Sequence, residues 1–419
     1  MSTDADKPVL IVGAGMAGLA CALSLHQAGL PVRLCEASDE VGGRVRTDVV
    51  EGFRLDRGFQ VYLDTYPRTS QLLDLPALEL RPFEPGALLY REGKLHRLMD
   101  VFRRPSSFLR SVRAPVGSLS DKLRVGWLRR KLSQSSFAEI ANRQEQSTES
   151  YLRDFGFSES MIDRFFRSFY GGIFLERELQ TTSRMFEFTF KLFSQGNATL
   201  PAKGMGEIPL QLARRLPKGS IGLQEKVCRV SPQSVTLASG EIIEGSATVV
   251  ATDGSTAEQL LPESSLPKTE WRSTTTLYYV AAQSPVKEAI LCLNGSGSGI
   301  VNNCCVLTDA APAYAPQGQS LISVSVMGPC GEENLSPKVI AELTNWFGPQ
   351  TQSWRHLRTD HLPRGLPVQR PHREPPTFCQ EAGLWICGDH LSSASIEGAV
   401  VSGQQTARAL LRERNIETP

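Results

Sequence analysis

The chain holds 419 residues with 41% hydrophobic content, enough for two or more lobes with sizeable interiors. A formal charge of +1, from 45 basic and 44 acidic side chains, gives no general pull toward nucleic acid, and no run nears the roughly 18 apolar residues that cross a bilayer. Nine scattered cysteines without a CxxC disfavour a disulfide framework, a zinc site and a redox dithiol; with a polar start that lacks signal-peptide character, they predict a reducing, cytoplasmic setting.

In chain order, the apolar run Val9 to Val12 enters Gly13-Ala14-Gly15-Met16-Ala17-Gly18. A helix-like stretch follows to Ala28, Gly29 stops it, and a second apolar run from Val32 to Cys35 ends at Glu36. This is a strand, glycine turn, helix, strand and acid, the order of a dinucleotide-binding unit of Rossmann type. Gly13 permits the tight turn, Gly15 lets main-chain amides reach a pyrophosphate at the helix start, and Gly18 lets helix and strand pack closely. Glu36 can accept hydrogen bonds from a ribose. The candidate cofactor-binding residues of this unit are Gly13, Gly15, Met16, Ala17, Gly18, Glu36 and Ala37.

Residues 65 to 195 contain helix-like stretches, notably Phe137 to Phe155 and Glu159 to Tyr170. Within them lies a basic stretch, 103–131, with Arg103, Arg104, Arg110, Arg113, Lys122, Arg124, Arg129, Arg130 and Lys131 against one acid, Asp121. Phe108, Leu109, Val112, Leu119, Leu123, Val125, Trp127 and Leu128 are interleaved with them. Such a pattern suits peripheral contact with an anionic membrane, and equally the solvated face of a helix. No stacking platform accompanies it, so nucleic acid is not an expected partner.

Strands are predicted at Ser220 to Val230, Ser234 to Ala238 and Ala247 to Thr252, then at Thr274 to Ala282, Ile300 to Leu307 and Ser320 to Val326. Gly295-Ser-Gly297-Ser-Gly299 reads as a hairpin, which leaves no second dinucleotide unit. A final apolar run, Leu384 to Cys387, precedes a helix rich in small residues. Six histidines, His390 among them, show no metal spacing, and no metal is predicted.

The sequence Glu36-Ala37-Ser38-Asp39-Glu40-Val41-Gly42-Gly43-Arg44-Val45-Arg46-Thr47 resembles the entry signature of the FAD-dependent amine oxidase superfamily, which includes monoamine oxidases, protoporphyrinogen oxidase and carotene desaturases. Gly52 to Gln60 resembles the strand that passes under the flavin ring, Leu200 to Gly206 a flavin-contacting loop, and Val249 to Thr252 the strand closing the nucleotide domain. Gly388-Asp389 and Ser395-Ile396-Glu397-Gly398-Ala399-Val400 match the C-terminal flavin motif. The resemblance implies FAD as cofactor and adds Gly43, Arg44, Gly58, Phe59, Gln60, Met205, Val227, Ala251, Gly388, Asp389, Ile396, Glu397 and Ala399 to the cofactor-binding set. Arg44 is a fixed-charge fork suited to a pyrophosphate. Asp389 suits ribityl hydroxyls or a helix cap. The small face formed by Gly398, Ala399, Ser402 and Gly403 suits close approach to a flat ring or plain helix packing.

The fold so implied is α/β: a Rossmann-like, GR2-type FAD-binding domain with an inserted α+β substrate domain, which contains a mixed sheet and a helical lobe. The FAD-binding pieces are expected at 1–64, 199–260 and 375–419, the helical insertion at 65–198 and the sheet insertion at 261–374. Flavin carries the hard chemistry, so no catalytic residue is assigned; the expected step is hydride transfer to flavin N5 from an apolar small molecule. Oxygen or a quinone is the expected acceptor. Ser395 stands where amine oxidases resemble one another in a tyrosine, and Ser273 to Tyr279 has no lysine, which favours a desaturase-like branch. Two alternatives stay open: a flavin amine oxidase making hydrogen peroxide, and a non-catalytic flavin-binding carrier of a pigment or cofactor.

Overall fold

A computed structural model describes residues 7–107, 116–262, 266–328, 334–372 and 378–416. Arg110, Arg113, Phe108, Leu109, Val112 and Cys330 lie outside the described residues. The first strand, Val9–Val12, is buried along its whole length. It sits inside a six-stranded sheet ordered Ile221–Gly222, Val32–Cys35, Val9–Val12, Ala247–Val250, Leu384–Ile386 and Cys379–Glu381. Every neighbouring pair is parallel except the last. A parallel sheet covered on both faces needs strands apolar on both sides, which is why these runs do not alternate. Val9 and Ile11 point into one core, while Leu10 and Val12 point into another with Val227, Val235 and Leu237.

One face is covered by the helices Met16–Gln27 and Ile396–Glu413. A Cβ on Gly403 would stand 2.2 Å from the Ala17 carbonyl oxygen, so the two helices approach at a residue without a side chain. The opposite face carries the antiparallel sheet Val227–Ser231, Ser234–Leu237 and Ile242–Glu244.

The second large sheet has seven strands, in the order Arg355–Pro367, Trp271–Ala281, Ser320–Met327, Val301–Val306, Leu291–Asn294, Gly86–Arg91 and Lys94–Met99. It is antiparallel apart from the pair Leu291–Asn294 with Gly86–Arg91, and is therefore mixed. Strand alternation divides its side chains between two cores. Leu277 and Tyr279 pack under the helix Leu335–Phe347, while Tyr278 and Val280 face the parallel-sheet lobe. A further core, rich in aromatic residues, is built mainly from helical segments between residues 119 and 195.

Three expectations are corrected. Phe137 to Phe155 is two helices, Phe137–Ala141 and Thr148–Asp154, because Ser136 and Ser147 each cap a new start. Ser220 to Val230 splits into Ile221–Gly222 and Val227–Ser231, since Gln224 and Glu225 turn to bond their amides to the carbonyls of Ser38 and Glu36. The segment 65–198 is not wholly helical, for Gly86–Arg91 and Lys94–Met99 complete the seven-stranded sheet.

Candidate functional site

The glycine turn lies at the carboxyl ends of Val9–Val12 and Ala247–Val250. Gly13 has φ +102°, and a Cβ there would stand 2.8 Å from the Ala251 carbonyl oxygen. A Cβ on Gly18 would stand 2.1 Å from the Gly13 carbonyl oxygen, so helix and turn touch main chain to main chain. Gly15 differs: nothing lies within 4 Å of where its side chain would be. The helix Met16–Gln27 that begins there has no side-chain cap and no acid in its first turn. Uncapped amides beside open space form a cradle for an anion. Gly43 borders that space, 3.6 Å from the Gly15 Cα to where its Cβ would be, and Gly42 donates to the Ala14 carbonyl at 2.8 Å.

Glu36 stands at the end of the adjacent strand. Its Oε2 accepts from the Ala14 amide at 2.7 Å, and its Oε1 accepts from the Ser38 amide (2.9 Å) and hydroxyl (2.8 Å). The carboxylate is thereby locked in place at half-buried depth, with lone pairs left for a sugar hydroxyl. Ala37 beside it is exposed.

Arg44 and Asp389, 345 positions apart in sequence, form an ion pair at 2.5 Å. The same guanidinium donates to the Gly365 carbonyl at 3.2 Å and lies 5.5 Å above the Trp271 ring. Gln60 fixes this corner through its amide nitrogen, which donates to the Arg44 and Arg57 carbonyls at 2.8 Å each. Gly388 donates its amide to the Ser402 hydroxyl at 3.0 Å, tying the last strand to the terminal helix.

A family model described as flavin-containing amine oxidoreductase matches residues 16–411. The chain belongs to that family. FAD is the cofactor of this flavin amine oxidoreductase. Protoporphyrinogen oxidase 2, chloroplastic/mitochondrial, of Arabidopsis thaliana is 30% identical over 169 residues, which cover 40% of this chain and 32% of that protein. Phytoene desaturase (lycopene-forming) of Pantoea ananas is 45% identical over 58 residues, 14% of this chain and 12% of its own. These curated relatives are thus matched over about a third of their length or less. A solved structure from Exiguobacterium sp. 255-15, named provisionally as a protoporphyrinogen oxidase, superposes with a TM-score of 0.75 at 19% identity, covering 99% of this chain and 100% of that one. At that identity the likeness shows the fold.

Other candidate positions also make contacts within the fold. The Glu397 carboxylate is buried: Oε1 accepts from the Arg68 amide at 2.7 Å, and Oε2 accepts from the Thr69 amide (2.9 Å) and hydroxyl (2.6 Å). It thereby ties the start of the last helix to the segment at Arg68 and Thr69. Gly398 and Gly403 are accounted for by close approach to the Ser393 and Ala17 carbonyls. Ile396 and Ala399, half-buried on the first turn of that helix, offer main chain and small side chains. Met205 is buried in the main core, Val227 starts the small sheet, and Phe59 packs edge-on against Phe83 at 6.3 Å.

Asp56, within the stretch Gly52 to Gln60, carries the hydrogen bonds that hold this region together. It accepts from the Met205 amide (2.9 Å), the Tyr314 hydroxyl (2.8 Å) and the Thr47 hydroxyl, while Tyr278 donates to its main-chain oxygen. Thr47 in turn accepts from the Gly206 amide at 2.8 Å. Burial pushes the Asp56 carboxyl up to about 6, against the pull of those three donors. The sequence signal was the one acid of the short strand Phe53–Asp56, which reads Phe-Arg-Leu-Asp. Nearby, Thr276 is wholly buried, lies 3.9 Å from where a Gly58 Cβ would stand, and has no hydrogen-bond partner for its hydroxyl. Ser325 and Asn303 continue this row across the next two strands, with the Asn303 amide donating to the Ser325 hydroxyl at 3.4 Å. No side chain of the row carries a charge.

Proposed function

We propose that the chain is a two-electron FAD oxidoreductase acting on an apolar small molecule, desaturase- or dehydrogenase-like, with oxygen or a quinone as acceptor. The observation that carries this reading is the aromatic helix that meets the Asn303 end of the neutral Thr276 row, where a Cβ on Gly172 would stand 3.3 Å from the Asn303 Oδ1. Phe165 and Phe169 stack at 5.6 Å, Phe169 also touches Tyr170 and Phe193, and Tyr170 touches Phe174 and Phe186. Aromatic rings beside uncharged polar side chains favour an uncharged substrate, because an ammonium or carboxylate group there would lose its hydration without a partner. Asp360, on the strand beside Thr276, is tied to Arg358 at 2.6 Å and is no open counter-ion for an amine.

In this reading the parallel-sheet lobe is a Rossmann-like, GR2-type FAD domain assembled from 1–64, 199–260 and 375–419, and the substrate domain comprises 65–198 and 261–374. The uncapped helix start at Gly15, Met16, Ala17 and Gly18, with Gly13, Gly43 and Arg44, would hold the pyrophosphate. Glu36 would take a ribose hydroxyl, and Ala37, Val227 and Ala251 border the nucleoside. Asp389 would take ribityl hydroxyls, and Gly58, Phe59, Gln60, Met205, Gly388, Ile396 and Ala399 flank the ring. Bound flavin supplies two-electron oxidation, while the chain's residues bind, orient and exclude water. No side-chain base is assigned. The setting proposed is cytoplasmic, with the substrate reached from a membrane surface through residues 103–131. Anaerobic flavin reduction against carotenes, porphyrinogens and amines tests the reading: bleaching by an apolar substrate supports it, peroxide formation with amines replaces it with amine oxidation, and tight FAD binding without reduction by any of them makes the protein a carrier.

A further inference from the structure

Only seven large hydrophobic side chains stand exposed among the described residues, and four of them share one patch. Leu119 (58% exposed), Leu123 (75%) and Trp127 (61%) recur every fourth residue along the helix Leu119–Gln134, so they form one outward stripe. Phe102 (58%) lies against the same face, for a Cβ on Gly126 would stand 3.1 Å from its ring. Leu128 and Leu132 on the opposite face are fully buried, so the helix is anchored there, and on its outward stripe the Trp127 ring also meets the fold, 4.8 Å from the Phe155 ring.

Charge identifies the occupant. The only acid of this helix, Asp121, is buried and bonded to Ser118 and Ser158, so it does not reach the outer face. Several cations counted in the sequence are used internally: Arg103 on the Gly196 carbonyl at 2.7 Å, Arg104 on Glu84 at 2.9 Å, and Arg129 on Asp100 and the Ser194 carbonyl. Arg124 pairs with Asp121 at 3.9 Å, while Arg130 is exposed and Lys122 half-exposed. The outer face is therefore apolar and basic with no acid on the helix, which two copies face to face would not satisfy and an anionic bilayer would.

We propose that this face docks on an anionic lipid surface, with Leu119, Leu123, Trp127 and Phe102 entering the headgroup boundary and Arg130 meeting lipid phosphates. The proposal rests on the membrane-facing reading of residues 103–131. It adds that apolar insertion dominates, with each outward cation contributing roughly fivefold to partitioning. The test is flotation of the FAD-loaded full chain with vesicles of phosphatidylcholine, with and without phosphatidylglycerol, at low and high salt. The protein is expected to float with the anionic vesicles, less at high salt. The variant Leu119→Ser with Leu123→Ser should partition at least about tenfold less at either salt, with flavin absorbance and melting temperature unchanged. Ile242→Ser, at a remote exposed apolar residue, should float like the parent. Failure of the parent to float, equal flotation of the double variant, or a parent dimer that the double variant splits into monomers would each overturn the proposal. Substrate-dependent flavin reduction is read separately in the same preparations: its persistence without flotation removes only the docking surface, whereas flotation without reduction removes only the oxidoreductase reading.

Discussion

Replacing Asp56 by Asn should change how stability depends on pH, and the structure sets both sign and size. The carboxyl is 2% exposed, and burial raises it from 3.8 to about 6. Between those values the folded chain holds a proton that the unfolded chain has released. The site's stabilising contribution is therefore fully present below about pH 4 and is lost as pH rises through about 6. A rise from 3.8 to about 6, at about 1.4 kcal/mol per pH unit, makes the change about 3 kcal/mol. Asn does not titrate, and its oxygen can still accept from the Met205 amide and the Thr47 hydroxyl, which share one carboxylate oxygen, while its NH2 at the other position donates to the Tyr314 oxygen. Urea unfolding followed by tryptophan fluorescence, at fixed FAD and in steps from pH 4 to pH 7, reads the difference between parent and variant, so other titrating groups cancel. The parent's advantage should shrink by about 3 kcal/mol across that range. Asp56→Leu should instead cost about 1–3 kcal/mol per orphaned donor at every pH. A parent-minus-Asn difference that stays flat from pH 4 to pH 7 refutes the argument that burial governs this carboxyl.

Two glycines of the turn should respond in opposite ways. Gly15→Ala, whose Cβ would meet no atom within 4 Å, should leave the melt intact while weakening FAD binding at least about tenfold in a fluorescence titration, by entering the space before the helix amides. Gly18→Ala should cost about 3 kcal/mol in the melt, because its Cβ would lie 2.1 Å from the Gly13 carbonyl. Arg44→Met strands the buried Asp389; with the arginine side chain 37% exposed, the loss should be about 1–2 kcal/mol, with faster FAD release in stopped flow. Glu397→Leu frees three donors and should lower stability by about 2–4 kcal/mol with FAD affinity held; weaker FAD at an unchanged melt would instead show that this carboxylate meets the cofactor.

The glycine turn was legible because most of what it needs is local. The positive φ of Gly13 and the approach of Gly18 to the Gly13 carbonyl are main-chain geometry within six residues, and Glu36 reaches back to Ala14, whereas the Ala251 carbonyl that also closes on Gly13 comes from a distant strand. Continuous apolar runs announced strands buried on both faces, and alternation announced three of the seven strands of the second sheet. Side-chain roles were another matter. Glu397 lies inside a recognisable motif, yet its oxygens are claimed by Arg68 and Thr69, more than 300 positions away. On the small face of the last helix, Gly403 meets the Ala17 carbonyl, a neighbour far away in sequence. The basic stretch looked like a field of positive charge until Asp100, Glu84 and two main-chain carbonyls took up three of its arginines.

By itself, then, the order of residues determined the local conformations: where the backbone turns tightly, which runs become strands, and that a nucleotide can be cradled at the first helix. Tertiary structure alone decided which polar groups meet, because ion pairs such as Arg44 with Asp389 form between segments that share no local pattern. It also decided the state of Asp56, since a carboxyl's affinity for its proton depends on the water removed around it, and that removal is a property of the packed whole.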